Sequence, residues 1–386
     1  MEKFLVTTLI KGKVFSQPLY LDEKYILLSP EVPITEALLE RLERWNYSYV
    51  YSSGAPADAN VGMPESGEGS ALLESDLKEQ VEFTKAFKFY QDFIDFTEEL
   101  FTDFINQSIL PLKDVSDEIK KVIDAVREQK NYILRISEMD LPDKTFLVVQ
   151  SVRTTILGIA LGIFAKMPNY KLIDLGMTCL LHEVGMVKLP PQLYNSNKIL
   201  TPQEKLAISA HTVLGFKLLK AGNFPMTVCM GVLESHENVD GSGYPRKLSG
   251  DKISTYAKIV SICSTFAALS SPRPYRLAFD GYHTMVELLK GMGRRYDEQL
   301  VRILVANLSI YPIGTYVQLV NGAKGMVIQP NEANPKEPVV RLLVNPTGER
   351  YNESPSVKTD IQEFRIARAL TVSQVQELRK TFNLGR

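Results

Sequence analysis

The amino-acid sequence predicts a mainly α-helical protein, with a small α/β domain before the helical body and a β-rich tail after it. Apolar residues follow the helical period of about 3.6 through much of residues 71–308. Residues 53–70 are rich in glycine and proline and separate this body from shorter elements before it. Residues 309–360 then change to the alternation that is typical of strands. A chain of 386 residues has the length of two or three domains.

Residues 1–52 alternate extended runs with one helical pattern, which predicts a small α/β domain. The helical pattern follows Pro33, a residue that suits the first turn of a helix. The extended runs that predict strands are 4–10, 25–28 and 47–51. Residues 53–70 contain almost no large apolar side chain, so they cannot bury enough surface to offset the entropy of ordering. We predict a flexible linker there.

Residues 71–143 form a phenylalanine-rich helical segment that we expect to pack on the body. Seven of the seventeen phenylalanines lie between Phe83 and Phe104, close to helical spacing. A helix this apolar must be covered on more than one side. Burial within the same domain is the favoured interpretation, and a dimerisation or signal-coupling surface is the alternative. A homodimer therefore stays open.

Residues 309–386 are predicted to form a β-hairpin tail and a closing helix. The dipeptide Asn321-Gly322 lies between alternating runs, which is a strong indication of a hairpin turn. The predicted strands are 316–320, 325–328 and 339–344, and the predicted helix covers 372–383.

Composition excludes several classes of function. Forty-four basic and forty-five acidic residues leave a net charge of −1, so no global field would attract nucleic acid. The longest apolar run, 156–165, is shorter than the roughly 20 residues of a membrane span. The three cysteines form no CxxC motif, which is typical of reduced thiols. We expect a cytoplasmic protein that binds no nucleic acid and has no membrane span.

Three of the four histidines lie in the helical body beside polar residues: His182, His211 and His236. Histidines and carboxylates on consecutive helices are how helical bundles build metal sites. Buried histidines that only satisfy neighbouring polar groups would give the same pattern, so spacing alone leaves both interpretations open. The zinc-protease motif fails because residue 186 is methionine, and Gly241-Ser242-Gly243 lacks the continuation of a phosphate loop.

The order of these motifs along the chain indicates a known family. Leu-His-Glu-x-Gly at 181–185 is followed by His211, then by His-Glu-x-x-Asp-Gly-Ser-Gly-Tyr-Pro at 236–245, and then by Arg-Pro-Tyr-Arg at 273–276. This order resembles the HD-GYP family, a bacterial branch of the HD superfamily of metal-dependent phosphohydrolases. The resemblance implies an HD-GYP-like helical domain over 144–308. It also implies metal ions, often iron or manganese, that activate water against a phosphodiester such as cyclic-di-GMP.

The resemblance implies a set of metal ligands, which in this chain are His182, Glu183, His211 and His236. Glu183 takes the place of the family's aspartate and is the candidate catalytic carboxylate if hydrolysis is retained. Residues that would contact the nucleotide are Arg273, Arg276, Tyr244 and Gly243. A guanidinium can bind a phosphodiester with two parallel hydrogen bonds, although arginines that hold loop carbonyls would look the same.

Four family positions are changed in this chain: Gln150, Met186, Ser235 and Ser264. The resemblance implies a metal ligand at three of them and a phosphate-binding lysine at residue 186. Glutamine and serine are poor ligands for such cations, and methionine carries no charge. The prediction is therefore one divalent ion, iron or manganese, or none.

Three functions follow from this pattern. The favoured one is a degenerate HD-GYP protein that senses a ligand or binds an unidentified protein partner in cyclic-di-GMP-type signalling, with hydrolysis lost or much reduced. The first alternative is a metal-dependent cyclic-di-GMP phosphodiesterase with a reduced single-metal site. The second is a structural partner-binding protein that has no nucleotide ligand.

Overall fold

A computed structural model describes most of the chain. The described residues are 2–21, 26–28, 32–44, 47–58, 67–136, 144–194, 201–271, 279–331, 333–351 and 354–382. The chain divides into two compact units, Met1–Leu77 and Lys78–Arg386.

The α-helices of the described chain account for most of the second unit. Their bounds are α1 Glu36–Arg44, α2 Gly67–Gln107, α3 Leu112–Ile136, α4 Phe146–Phe164, α5 Asn169–Leu181, α6 Pro191–Tyr194, α7 Pro202–Ser209, α8 His211–Ala221, α9 Met226–Leu233, α10 Thr255–Leu269, α11 Gly281–Gly291, α12 Glu298–Leu308 and α13 Val372–Phe382.

The strands form sheets near both ends of the chain. Their bounds are β1 Glu2–Leu5, β2 Lys13–Phe15, β3 Leu19–Tyr20, β4 Ile26–Leu28, β5 Tyr49–Ser52, β6 Pro56–Asp58, β7 Tyr316–Leu319, β8 Lys324–Gln329, β9 Val339–Val344, β10 Ser356–Lys358 and β11 Ile366–Ala369. Their orders are β1-β5-β3-β4, β2-β6 and β10-β9-β8-β7-β11.

The first unit contains the small α/β fold that the sequence predicts, with differences in its elements that include the additional strands β2 and β3. The first strand ends at Leu5, where a short 3-10 helix follows, so the predicted strand 4–10 was too long. Helix α1 begins at Glu36 because the Thr35 hydroxyl accepts a hydrogen bond from the Leu38 amide at 3.2 Å. Pro33 therefore precedes the helix and is not in its first turn.

The predicted linker 53–70 is partly regular structure. Strand β6 pairs antiparallel with β2, and Ala57 lies opposite Val14. Backbone pairing orders residues 56–58 although their side chains offer little apolar surface. Helix α2 then begins at Gly67, and the rest of the predicted linker, 59–66, lies outside the described residues.

The phenylalanine-rich segment is a core helix of the second unit. Tyr90 and Phe93 are fully buried, and Phe104 is nearly so. These rings belong to one apolar cluster that continues through α3, α4, α5 and α10. The aromatic stripe of α2 is therefore covered by the protein's own helices, which is the interpretation that the sequence favours.

Helix α4 lies at the centre of this cluster. Among the described residues it is the one helix that is long and apolar enough to cross a membrane by length and composition. Within the fold, however, 83% of its apolar 18-residue stretch is buried. A Cβ on Gly158 would collide with the Cys179 sulfur, so glycine lets α4 approach α5 closely. Burial of this kind is typical of a core helix.

The C-terminal sheet is antiparallel and larger than the sequence predicts. Gly322 has φ +92° in the predicted turn between β7 and β8, and the Asn321 side chain accepts a hydrogen bond from the Ala323 amide at 3.0 Å. The structure adds β10 and β11, which are three and four residues long. Such short strands carry too few alternations to be recognised from sequence.

Candidate metal centre

The candidate ligands lie where helices end or begin. Helix α5 ends at Leu181, and His182 and Glu183 follow before the 3-10 helix Val184–Lys188. His211 opens α8, and His236 follows the end of α9. Three helix termini thus bring side chains from distant parts of the sequence to one place.

Gly185 allows this convergence. A Cβ at this position would collide with the His211 carbonyl oxygen and lie 2.7 Å from the Gly215 nitrogen. The 3-10 helix therefore packs directly on the backbone of α8. A side chain at residue 185 would push Glu183 and His211 apart.

His182 and His211 are oriented by equivalent hydrogen bonds. The Nδ1 atom of His182 lies 2.7 Å from the Cys179 carbonyl oxygen, and that of His211 lies 2.7 Å from the Ile208 carbonyl oxygen. A carbonyl only accepts, so each Nδ1 must donate a proton. In the neutral imidazoles each Nε2 then carries a lone pair, which is the form that binds a metal.

The Glu183 carboxylate lies between the two imidazoles. Its Oε1 is 3.7 Å from His182 Nε2, and its Oε2 is 3.4 Å from His211 Nε2. Among the described residues, Glu183, His211 and His236 offer ligand atoms that all lie within 4.8 Å of one another. His182 is beside this trio and not within it. Carboxylate oxygens and imidazole lone pairs that face each other need a cation or a proton between them.

Burial favours the neutral form of two of the imidazoles, His182 and His236. It lowers the pKa of His182, and together with the neighbouring His211 it lowers the pKa of His236 to about 3. Burial and the Glu183 charge raise the pKa of Tyr244 well above its ordinary value. A neutral imidazole can bind a cation without first losing a proton, whereas the raised pKa keeps the Tyr244 phenol protonated and so a poor metal ligand.

The residues present fit one divalent metal ion. The Nε2 atoms of His182, His211 and His236 are buried and have no hydrogen-bond partner in the described chain. Two histidines and one carboxylate are the ligand set of mononuclear iron and zinc centres that keep open positions for substrate. An ion held by Glu183, His211 and His236 would supply Lewis-acid chemistry.

The side chain at one changed family position bonds to the backbone at another. The Gln150 side-chain amide donates to the Ser264 carbonyl oxygen at 2.8 Å, which joins α4 to α10. The Gln150 side-chain oxygen makes no hydrogen bond within the described chain. Ser264 directs its hydroxyl to the Ser261 carbonyl at 3.5 Å, and Ser235 directs its own to the Val232 carbonyl at 3.0 Å. Both hydroxyls are engaged by their own helical turns.

Met186, the remaining changed position, is half-buried in the 3-10 helix that follows Glu183. Its thioether offers no charge for a phosphate. Arg273 and Arg276, the predicted nucleotide contacts, lie outside the described residues.

The loop after His236 covers one side of the centre. The Tyr244 ring stacks on the His236 ring with centroids 5.0 Å apart and planes 5° from parallel. His236 in turn meets His211 edge-on at 4.9 Å. A Cβ on Gly243 would lie 2.5 Å from the His236 carbonyl oxygen, so glycine lets the loop fold back on the histidine.

Two buried carboxylates that the sequence analysis did not single out hold this loop. Glu237 accepts hydrogen bonds from the backbone amides of Arg246 at 2.6 Å and Leu248 at 2.9 Å. Glu234 accepts from the Arg246 guanidinium and the Ser254 amide, both at 2.9 Å. The sequence offered one indication of such a role. Glu234 is an acidic residue at the C-terminus of the apolar helix α9, where a basic side chain is more usual.

Comparison with known proteins identifies the helical body. Residues 141–300 match the family model of the HD domain. This segment of the chain is therefore similar to the HD domain. All the candidate ligands lie within the matched HD domain segment, and so do the four changed positions. Most of the β tail lies beyond it.

Two curated bacterial proteins are similar to this chain. "Cyclic di-GMP phosphodiesterase PdeB" of Borreliella burgdorferi is 26% identical over 197 residues, 51% of this chain and 52% of that protein. "Cyclic di-GMP phosphodiesterase PA4108" of Pseudomonas aeruginosa is 25% identical over 292 residues, 75% of this chain and 66% of that protein. The chain thus spans between half and two-thirds of the length of these relatives.

A solved structure also aligns with this chain. Bd1817, described as an HDG"Y"P protein from Bdellovibrio bacteriovorus, aligns with a TM-score of 0.48 at 16% sequence identity. The alignment covers 78% of this chain and 97% of that one.

Proposed function

We propose that this chain is a degenerate HD-GYP protein of bacterial cyclic-dinucleotide signalling. It holds one divalent ion, iron or manganese, binds cyclic-di-GMP or a close analogue, and passes this state to a protein partner in the cytoplasm. Hydrolysis is lost or much reduced. The names of the relatives support the ligand class, and the geometry of the centre supports the loss of activity.

The hydrogen bond between Gln150 and the Ser264 carbonyl carries this proposal. The HD-GYP resemblance implies a histidine at residue 150 and an aspartate at residue 264. The two residues are instead buried against each other, 3% and 8% exposed. With the Ser235 hydroxyl bonded to its own helix, a second metal ion would lack most of its ligands. Two metals about 3.5–4 Å apart are what stabilise both oxygens of a phosphodiester displacement.

The remaining residues have roles in binding. Glu183, His211 and His236 would hold the ion, and the ion would polarise a phosphate oxygen of the nucleotide. Tyr244 stacks on His236 and so fixes that ring in place. Arg273 and Arg276 would contact the phosphodiester, as the resemblance implies. The protein thereby binds the nucleotide without the second ion that efficient cleavage needs.

A single-metal phosphodiesterase is the second candidate function. The observation that favours it is the convergence of Glu183, His211 and His236 within 4.8 Å. Such a site keeps open positions, and in this candidate the Glu183 carboxylate also accepts a proton from the attacking water.

Hydrolysis and binding assays on the same protein distinguish these functions. The full chain is incubated with cyclic-di-GMP and Fe²⁺ or Mn²⁺ under anaerobic conditions, and binding is measured by calorimetry in parallel. The proposal expects saturable micromolar binding with turnover far below that of a complete HD-GYP enzyme. Turnover comparable to such an enzyme would overturn it.

Matched variants show where activity and binding arise. Slow hydrolysis that His211→Ala removes, and that the exposed His283→Ala keeps, would favour the single-metal enzyme. Binding should weaken when Arg273 and Arg276 are both changed to glutamine. Absence of any cyclic-di-GMP binding by the folded chain would leave the third function, a structural partner-binding protein.

A further inference from the structure

An apolar cavity of about 670 Å³ opens at the far ends of the helices that carry the candidate metal ligands. Its wall includes the turn after α4 and the first turns of α5, α9 and α10. The candidate ligands follow the opposite ends of α5 and α9. This cavity is therefore a separate feature from the metal centre.

The wall is apolar and adaptable. Three methionines line it, Met167, Met226 and Met230, together with Pro168 and the ring of Tyr256. Methionine side chains are flexible and polarisable, so they fit chains of varied shape. The volume lies within the range of roughly 300–1,000 Å³ that is usual for small-molecule sites.

The polar groups of the cavity favour an anion. Lys166 and Lys171 line the cavity and are exposed, and neither forms an ion pair with any described residue. Tyr256 is 9% exposed, and its hydroxyl makes no hydrogen bond within the described chain. Because Tyr256 lines the cavity, its hydroxyl is available to a polar group of a ligand.

The helix ends add to the positive potential. Helices α5 and α9 begin after Pro168 and Pro225, and neither has a side-chain cap on its first amides. Uncapped amides at a helix N-terminus carry partial positive charge. The nearby carboxylate of Asp174 already accepts a hydrogen bond from the Thr227 hydroxyl at 2.7 Å and does not pair with either lysine.

We propose that this cavity binds an amphipathic carboxylate, an aliphatic acid of medium chain length. The carboxylate pairs with Lys166 and Lys171 and accepts a hydrogen bond from Tyr256, and the chain lies against Met167, Met226 and Met230. The apolar wall provides affinity through buried surface, and the lysines select the charge. The site does not depend on the proposed function.

Decanoate is a suitable probe of the cavity. It is titrated into the full chain by calorimetry below its micelle concentration, beside decanol and decyltrimethylammonium. The expected result is saturable binding of one decanoate per chain, weaker binding of the alcohol and none of the cation. Because the metal centre is separate, a chelator should leave decanoate binding unchanged.

Variants locate the site. Lys166→Gln with Lys171→Gln should lower decanoate affinity about tenfold, since two ion pairs are lost. Met226→Trp should weaken it as well by filling the cavity, and the exposed position of Met226 tolerates the larger ring. Lys205→Gln, on the surface of α7, is the matched control. Absence of saturable binding by the folded chain, or binding that these variants leave unchanged, would overturn the proposal.

Discussion

Gln150 joins two helices at a position where the HD-GYP resemblance implies a metal ligand. Its amide reaches the Ser264 carbonyl across 114 residues of sequence, and the pair lies in the core. A neutral amide is a poorer ligand than an imidazole for iron or manganese, but its N–H can satisfy a buried carbonyl. The side chain of residue 150 thus bonds to the backbone of residue 264, whichever side chain residue 264 carries.

The contribution of this hydrogen bond to stability can be measured. Gln150→Ala removes the amide donor and leaves a small cavity, so we expect a loss of about 1–2 kcal/mol in the free energy of unfolding. Chemical denaturation measures it. Gln203→Ala, at an exposed position of α7, is the control and should change stability by less than about 0.5 kcal/mol. Equal stability of both variants would show that the Gln150 bond contributes nothing.

Restoring the implied ligands tests whether the changed residues alone limit the centre. A triple variant with Gln150→His, Ser235→His and Ser264→Asp places ligands where the resemblance implies them. We expect it to bind more metal per chain than the parent, measured by elemental analysis after gel filtration. A folded triple variant with no additional metal would contradict this, because the limit would then be the shape of the centre.

At the residue scale, the sequence predicts some features of the candidate site and does not predict others. Glu183, His211 and His236 could be named from motif order, because each belongs to a short segment with a recognisable pattern. The separation of His182 from that trio depends on the turn after α5. The bond between Gln150 and the Ser264 carbonyl could not be predicted, since nothing local links residues so far apart.

At the scale of elements, the end of α9 and its following loop act as one unit. Glu234 and Glu237 are buried, and their carboxylates bind backbone amides of residues 246–254. Hydrogen bonds to a charged acceptor are stronger than neutral ones. The loop that carries Tyr244 is therefore held in place against His236.

Loss of one of these acceptors should loosen the loop. In Glu237→Gln, one carboxylate oxygen becomes an amide group that faces a backbone N–H, so we expect a loss of about 1–3 kcal/mol in the free energy of unfolding. Denaturation and the near-ultraviolet signal of Tyr244 measure the effect. Glu298→Gln, which breaks an exposed ion pair with Arg302, should cost no more than about 1 kcal/mol. A Glu237 variant no less stable than this control would contradict the role of Glu237.

The elements differ in how well sequence predicts them. The body helices and β7 to β9 have enough periodic residues to be recognised. The short strands β6, β10 and β11 depend on pairing with partners far away in the sequence, and the start of α1 depends on a cap at Thr35. Long-range pairing is not encoded in local pattern.

At the scale of the whole molecule, the helical body provides the frame that holds the candidate metal ligands. The second unit buries one continuous apolar core from α2 to α12, and the candidate ligands lie at helix termini around it. Packing of this kind tolerates loss of ligands, because the core and not a metal ion stabilises the helices. The fold would therefore be retained with the reduced centre that we propose.

The number of metal ions per chain tests the central claim most directly. Full-length protein is purified under anaerobic, iron-replete conditions, and its metal content is measured by elemental analysis. We expect one divalent ion per chain, lost in His211→Ala and kept in His283→Ala. Two ions per chain, or none, would contradict a reduced single-metal centre.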